Sequence, residues 1–198
     1  VTDFDIHTMW LHEHMTGYFA ATDEVAFKLA DRGIPAATTR ATGIPIMPIF
    51  SETRDRAVCA AEIGADPKKL TFLMMSGGFG VGGIDSLAER LLKIPGEFQV
   101  IALAGKNEQL LGSLNKLAAE HPGRLFPMGF TRTIERVMAC ADVAITKPGG
   151  LTTSECLAVG LPMIVVAPIP GQEERNADFL LENGAAMKAC DPAALEYR

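Results

Sequence analysis

The run Lys147-Pro148-Gly149-Gly150-Leu151-Thr152-Thr153-Ser154-Glu155 joins a glycine turn to a helix start and places a carboxylate shortly inside that helix. The first amides of a helix have no partner within it, so Gly149, Gly150, Leu151 and Thr152 can offer backbone N–H groups to a phosphate. Glycine at 149 and 150 removes the side chains that would block a close approach, and Lys147 adds positive charge. Glu155 can accept two hydrogen bonds from vicinal hydroxyls such as those of a ribose. Taken alone, the run reads equally well as an ordinary strand-to-helix turn with Thr152 or Thr153 near the N-cap.

A second small-residue loop, Ser76-Gly77-Gly78-Phe79-Gly80, follows an apolar run and precedes a helical pattern, a context that suits a diphosphate. Gly78, Gly80 and Gly83 also satisfy the GxGxxG spacing of a dinucleotide fold, which needs an acidic residue at the end of the next strand. That strand ends Ala104-Gly105-Lys106-Asn107, without the acid, which weighs against NAD or FAD. Further polar or glycine positions follow the other apolar runs: Asn107, Gly129 with Phe130, and Gln172 with Glu173 and Asn176. Phe130 could wall a flat base, or be a core residue beside a plain turn. Gln172, Glu173 and Asn176 offer groups to sugar hydroxyls, or form a polar helix start.

The elements that must position these residues can be read from periodicity. Apolar runs at 70–75, 99–104, 125–128, 143–146, 163–167 and 186–189 predict strands, and the stretches 84–92, 107–120, 133–141, 152–159 and 174–182 predict helices between them. Such alternation predicts an α/β fold with a doubly wound parallel sheet, in which strand ends line the ligand crevice. Residues 1–48, with a helix at 22–32 and a turn at 42–46, read as the tail of a preceding α/β domain. Residues 49–68, with a helix at 52–64, read as a linker, and 69–198 as the main domain, cut short at its end. Residues 1–3 read as the end of a buried strand, so the chain is expected to be a fragment.

The 198 residues are 48% hydrophobic, enough for a large core. A formal charge of -6 argues against nucleic acid as a partner, since phosphate-backbone affinity rests on clustered Lys and Arg. No apolar run approaches the roughly 20 residues of a membrane span. Cys59, Cys140, Cys156 and Cys190 form no CxxC pair and fit buried thiols in a reducing compartment.

The blocks Val1-Thr2-Asp3-Phe4 with His7 and Trp10, 42–46, 76–80, Gly105-Lys106-Asn107, Gly129-Phe130, 147–155 and Pro168-Ile169-Pro170-Gly171-Gln172-Glu173 with Asn176 resemble monogalactosyldiacylglycerol synthase and the bacterial processive diacylglycerol glucosyltransferases, of glycosyltransferase family 28. The resemblance covers essentially the whole chain in order. It implies a two-domain GT-B fold whose carboxyl-terminal Rossmann-like domain binds a UDP-sugar while the amino-terminal domain takes a lipid acceptor such as diacylglycerol. It further implies a peripheral enzyme at the cytoplasmic face of the membrane, with no cofactor and no metal. By the same resemblance Phe130 faces the uracil, Glu155 the ribose, Ser76, Gly77, Gly78 and Gly80 with 149–152 the diphosphate, and Gln172 and Glu173 the hexose, while Asp3, His7 and Trp10 lie toward the acceptor.

The glycine-rich loop and the histidine base of the family match nothing in these residues, so the catalytic base is expected upstream of Val1 and this chain alone is expected to bind donor with little transfer. Asp3-Phe4-Asp5 matches a metal-binding DxD, but its neighbours fit the metal-independent fold. His12 and His14, at i and i+2, point in different directions on a helix, which argues against a metal site. The alternatives are a peptidoglycan N-acetylglucosaminyltransferase, a UDP-N-acetylglucosamine epimerase, and a donor-binding module without activity.

Overall fold

The structure, a computed structural model, describes residues 1–12, 14–75 and 83–197. At the amino end β1 (Tyr18–Ala20) leads through α1 (Asp23–Asp31) to β2 (Thr39–Ala41), which pairs with it in parallel. Thr22 starts α1 by accepting from the Val25 amide at 3.2 Å, with Asp23 and Glu24 at the positive end of the helix. Val25 and Leu29 bury against Tyr18 and Ala20, and Val1, Phe4, Ile6 and Leu11 pack around this small core.

The link to the larger sheet is shorter than periodicity suggests. A 3-10 turn occupies Pro48–Ser51, and α2 (Arg56–Ile63) begins only after Asp55, whose carboxylate accepts from the Ala57 and Val58 amides. Gly64, at φ 81, closes it in the left-handed conformation.

Thereafter strand and helix alternate: β3 (Leu70–Met75), α3 (Ile84–Lys93), β4 (Phe98–Gly105), α4 (Glu108–Glu120), β5 (Leu125–Gly129), α5 (Ile134–Met138), β6 (Val143–Thr146), α6 (Gly150–Ala158), β7 (Met163–Val166), α7 (Gln172–Glu182), β8 (Ala186–Ala189) and α8 (Pro192–Tyr197). All pairings are parallel, in the order β5-β4-β3-β6-β7-β8. The strands are apolar at nearly every position because both faces are covered. Leu73 and Met75 face one core with α2, α5, α6 and α7, whereas Met74, one residue out of phase, faces the other with α3, α4 and α8. No helix among the described residues is long and apolar enough to cross a membrane.

Three expectations need correction. Residues 1–3 form no strand; the Val1 amino group instead donates to the Phe19 carbonyl at 2.9 Å. Helix α6 starts at Gly150, two residues early, because Gly149 enters it with an extended ψ of 139 and no side-chain cap is used. Cys190 is exposed, whereas Cys59, Cys140 and Cys156 are buried, and burial pushes the thiols of Cys140 and Cys156 up to about 11 and about 12.

At the amino ends of the strands a polar network ties the link to the sheet. The Arg56 guanidinium donates to both carboxylate oxygens of Asp142 at 2.7 and 2.8 Å, and the Thr71 amide donates to the same carboxylate at 2.8 Å. Fully buried Thr71 and nearly buried Gln99 complete it. The Arg56 guanidinium holds the Asp142 carboxyl below its ordinary value, so its stabilisation is present above the usual carboxylate range and lost as pH falls through that lowered value. Asp142→Asn is expected to cost about 2 kcal/mol by chemical denaturation, with a gap to the parent chain that narrows in acid.

Candidate functional site

The strand order reverses between β3 and β6: the chain leaves β3 for β4 and β5 on one side, then returns to β6, β7 and β8 on the other. Neighbouring crossovers therefore diverge on opposite faces at the carboxyl ends of β3 and β6 and leave a crevice there. The segment after β6 is 147–150, the glycine turn. The segment after β3 holds Ser76, Gly77, Gly78 and Gly80, which lie outside the described residues.

At the turn, the Gly149 amide bends back onto the Lys147 carbonyl at 3.0 Å, and the Thr153 amide bonds the Gly149 carbonyl at 2.9 Å. The amides of Gly150, Leu151 and Thr152 have no acceptor among the described residues, so three donors meet at the positive end of α6. A Cβ built on Gly149 would meet nothing within 4 Å, so its space is open to a ligand. Gly150 is the opposite case, because a Cβ there would collide with the Thr2 carbonyl oxygen and stand 2.9 Å from the Thr2 carbonyl carbon. Half-buried Lys147 borders the donors, and the Leu151 side chain is exposed. Thr153, read as a possible cap, is instead fully buried.

Glu155 lies on α6, partly buried. Burial alone raises its carboxyl above the ordinary glutamate value, with no protein donor contributing. A carboxylate in that state gains from any ligand bringing hydroxyl donors.

Phe130 is 61% exposed beyond the end of β5, so the core reading of this residue does not hold. The Lys106 ammonium stands over its ring, 5.4 Å from the centroid, and the two present a flat cationic-aromatic corner. Gly105 pairs with Gly129 across a register shift that ends the β4–β5 ladder. Asn107 spends its carbonyl oxygen on the Leu110 amide at 3.0 Å as the α4 N-cap, leaving its NH2 group for other partners.

Beyond β7 the chain turns through Ala167, at φ 42 the one left-handed non-glycine residue among the described residues, and enters α7. Gln172 is exposed at the helix start. The Glu173 carboxylate accepts from the Ile169 amide at 2.7 Å, bracing the loop it was expected to hang from. Asn176 needs a larger correction: it is fully buried, donates to Asp3 Oδ1 at 2.7 Å and to the Pro148 carbonyl at 2.9 Å, and accepts from the Phe4 amide at 2.8 Å. Both N–H groups and the oxygen are engaged, so the side chain does not face a sugar.

Asp3, expected toward the acceptor, is thus bonded beneath the glycine turn. Its DxD partner Asp5 bonds Lys28 Nζ at 3.1 Å and lies 3.6 Å from Arg175 Nε. His7 is exposed and caps the 3-10 turn Thr8–Trp10, its ring 6.3 Å from that of Trp10. Trp10 lines a cleft of about 430 Å3 with Met9, Met15 and Phe19. Nothing local in the sequence marks Lys106 over Phe130 or the Phe4–Phe179 stack, whose rings are 4.1 Å apart at 5°. An aromatic pair 175 positions apart carries no local signal.

Two family models match the chain: Monogalactosyldiacylglycerol (MGDG) synthase over residues 1–46, and Glycosyltransferase family 28 C-terminal domain over residues 84–194. The processive diacylglycerol beta-glucosyltransferase of Bacillus subtilis (strain 168) is 38% identical over 188 residues, covering 94% of this chain and 49% of the relative. The protein of the same name from Bacillus cereus (strain AH187) is 35% identical over 188 residues, covering 94% and 48%. The chain spans about half the length of the curated relatives it matches. Among solved structures, MnaA of S. aureus with UDP superimposes with TM-score 0.65 at 16% identity, covering 86% of this chain and 46% of that one. MurG of Acinetobacter baumannii does so with TM-score 0.58 at 23% identity, covering 80% and 47%. At these identities the structural matches speak for the fold, an α/β Rossmann-like sheet.

Proposed function

The chain belongs to glycosyltransferase family 28, and from that membership we propose that it carries the donor site of an inverting hexosyltransferase that moves glucose or galactose from a UDP-sugar to diacylglycerol. The observation that supports this most is the meeting, at the sheet's switch point, of three amides on α6 that have no acceptor among the described residues with a partly buried carboxylate on the same helix. The amides of 150–152 and Lys147, with Ser76, Gly77, Gly78 and Gly80, hold the diphosphate; Glu155 takes the ribose hydroxyls; Phe130, Gly129 and Asn107 frame the uracil side; Gln172 and Glu173 read the hexose.

In the reaction, a general base takes the acceptor hydroxyl's proton while its oxygen bonds to the anomeric carbon and that carbon's bond to the diphosphate oxygen breaks. Charge then grows on the leaving diphosphate, where fixed amides and Lys147 stabilise it without reorganising. Residues 69–198 serve as the donor domain, 49–68 as its link, and 1–48 as part of the acceptor domain, with Asp3, His7 and Trp10 on that side. The names of the Bacillus relatives support a glycolipid product, and a product of that kind would suit work at the cytoplasmic membrane surface.

Calorimetric titration with UDP, UDP-glucose, UDP-galactose and NAD tests the reading. Uridine nucleotides are expected to bind and NAD to give no heat, with Phe130→Ala weakening UDP roughly tenfold through lost stacking. Binding of NAD without UDP would overturn it. Tight UDP binding by the full-length protein with no hexose transfer to lipid would leave a donor-binding module instead.

A further inference from the structure

Residues 1–5 run as a strap across the donor helix pair. Thr2 covers Gly150, Phe4 stacks on Phe179 of α7, and Asp5 bonds Lys28 of α1 while lying beside Arg175 of α7. Asn176 stands where strap and glycine turn meet. One of its N–H groups holds Asp3, the other holds the Pro148 carbonyl, and its oxygen holds the Phe4 amide.

The Pro148 carbonyl and the Gly149 amide are the two ends of one peptide plane. Gripping one end therefore fixes the other, which points back at the Lys147 carbonyl at 3.0 Å. The Thr153 amide holds the Gly149 carbonyl and Thr2 packs on Gly150, but Gly149 has open space around it and the torsional freedom of glycine, so the direction of its own amide rests on the grip at Pro148. We infer that Asn176 is a positioning residue: through it the strap of residues 1–5 sets the geometry of the 147–150 turn and hence the affinity for a nucleoside diphosphate. The inference rests on the donor-site reading above. It makes the unit built on β1, α1 and β2, to which the strap is also anchored, able to change donor affinity without touching the donor.

Asn176→Asp tests it. The change keeps size and the acceptor for Phe4, but an ionised carboxylate cannot donate to Asp3 or to the Pro148 carbonyl. The groups around it are Asp3 and Asp5 of the strap, Arg175 of its own helix and Lys28 of α1. UDP affinity at neutral pH is expected to fall roughly tenfold, from loss of two buried hydrogen bonds and the meeting of two carboxylates. It recovers toward the parent value only as pH falls far enough to protonate both carboxyls, when Asp3 donates to the introduced carboxyl and that carboxyl donates to the Pro148 carbonyl. The exchange Asp3→Asn with Asn176→Asp restores the bond to the strap at neutral pH but leaves the Pro148 carbonyl without its donor, so UDP affinity is expected to stay low.

UDP affinity within about twofold of the parent in Asn176→Asp at both pH values would overturn the inference, as would a loss that acid does not repair or one that the exchange repairs at neutral pH. Failure of the parent chain to bind UDP would instead overturn the donor-site reading. The grip is then judged by amide hydrogen exchange at 149–153: faster exchange in Asn176→Asp at neutral pH supports it, and unchanged exchange overturns it.

Discussion

Glu155→Gln weakens UDP by roughly 10- to 100-fold while leaving the free chain more stable at neutral pH. Both effects come from one carboxylate. Burial raises its folded-state pKa above the ordinary glutamate value, so the ionised form costs the folded chain free energy. That cost is absent below the usual carboxylate range, grows as pH rises from the ordinary glutamate value, and is complete above the elevated pKa; glutamine removes it. A ribose brings two hydroxyl donors to the ionised form and reverses the preference. UDP affinity of the parent chain therefore rises as pH rises through the same pKa. Binding near that pH releases a proton, visible as heats that change with the ionisation enthalpy of the buffer. Equal UDP affinity in Glu155→Gln and parent would remove Glu155 from the ribose.

Gly150→Ala is expected to destabilise the chain by about 3 kcal/mol, with a melting temperature lower by roughly 6–10 °C. The new methyl group would occupy the space of the Thr2 carbonyl, and what stands in its way is backbone, which cannot rotate aside. The alternative relief is release of residues 1–5, which would appear as loss of amide protection at Phe4. Gly149→Ala supplies the contrast. Its φ of -67 and ψ of 139 suit alanine, and its Cβ would meet nothing within 4 Å, so thermal stability should hold while UDP affinity falls. Adjacent glycines would then separate by readout, one sensed by melting and the other by ligand. A stable Gly150→Ala chain with intact protection at Phe4 would show that the strap does not lie where the structure places it.

Much of the sheet was legible because a parallel strand covered on both faces must be apolar at nearly every position. The strand at 186–189 was read with its observed bounds, and 70–75 likewise. Ends of helices were less legible: a cap such as Asn107 announces itself, whereas Gly149 opens α6 with no side chain to mark the boundary. That 147–155 joins a strand end to a helix also followed from strand–helix alternation, whereas its place at the switch point rests on the strand order, which alternation does not carry. Asn176 shows where such reading stops. Its polar group, next to Gln172 and Glu173, carries the same local signal as a ligand contact, and only a partner 173 residues away reveals it as an internal brace. Phe130 could not be decided from its surroundings in the sequence, since nothing local separates an exposed aromatic from a core one.

The strap also sets an order of events during synthesis. Phe4 cannot settle until Asn176 and Phe179 exist, a separation of 172 residues for its hydrogen bond. Every strand from β3 to β7 leaves the ribosome before that docking partner does. Closing so long a loop comes late in folding, after local βαβ contacts have formed. Phe4 thus stays undocked through the synthesis of residues 5–175, in a stretch open to chaperones, and its capture by α7 follows the emergence of β3 to β7.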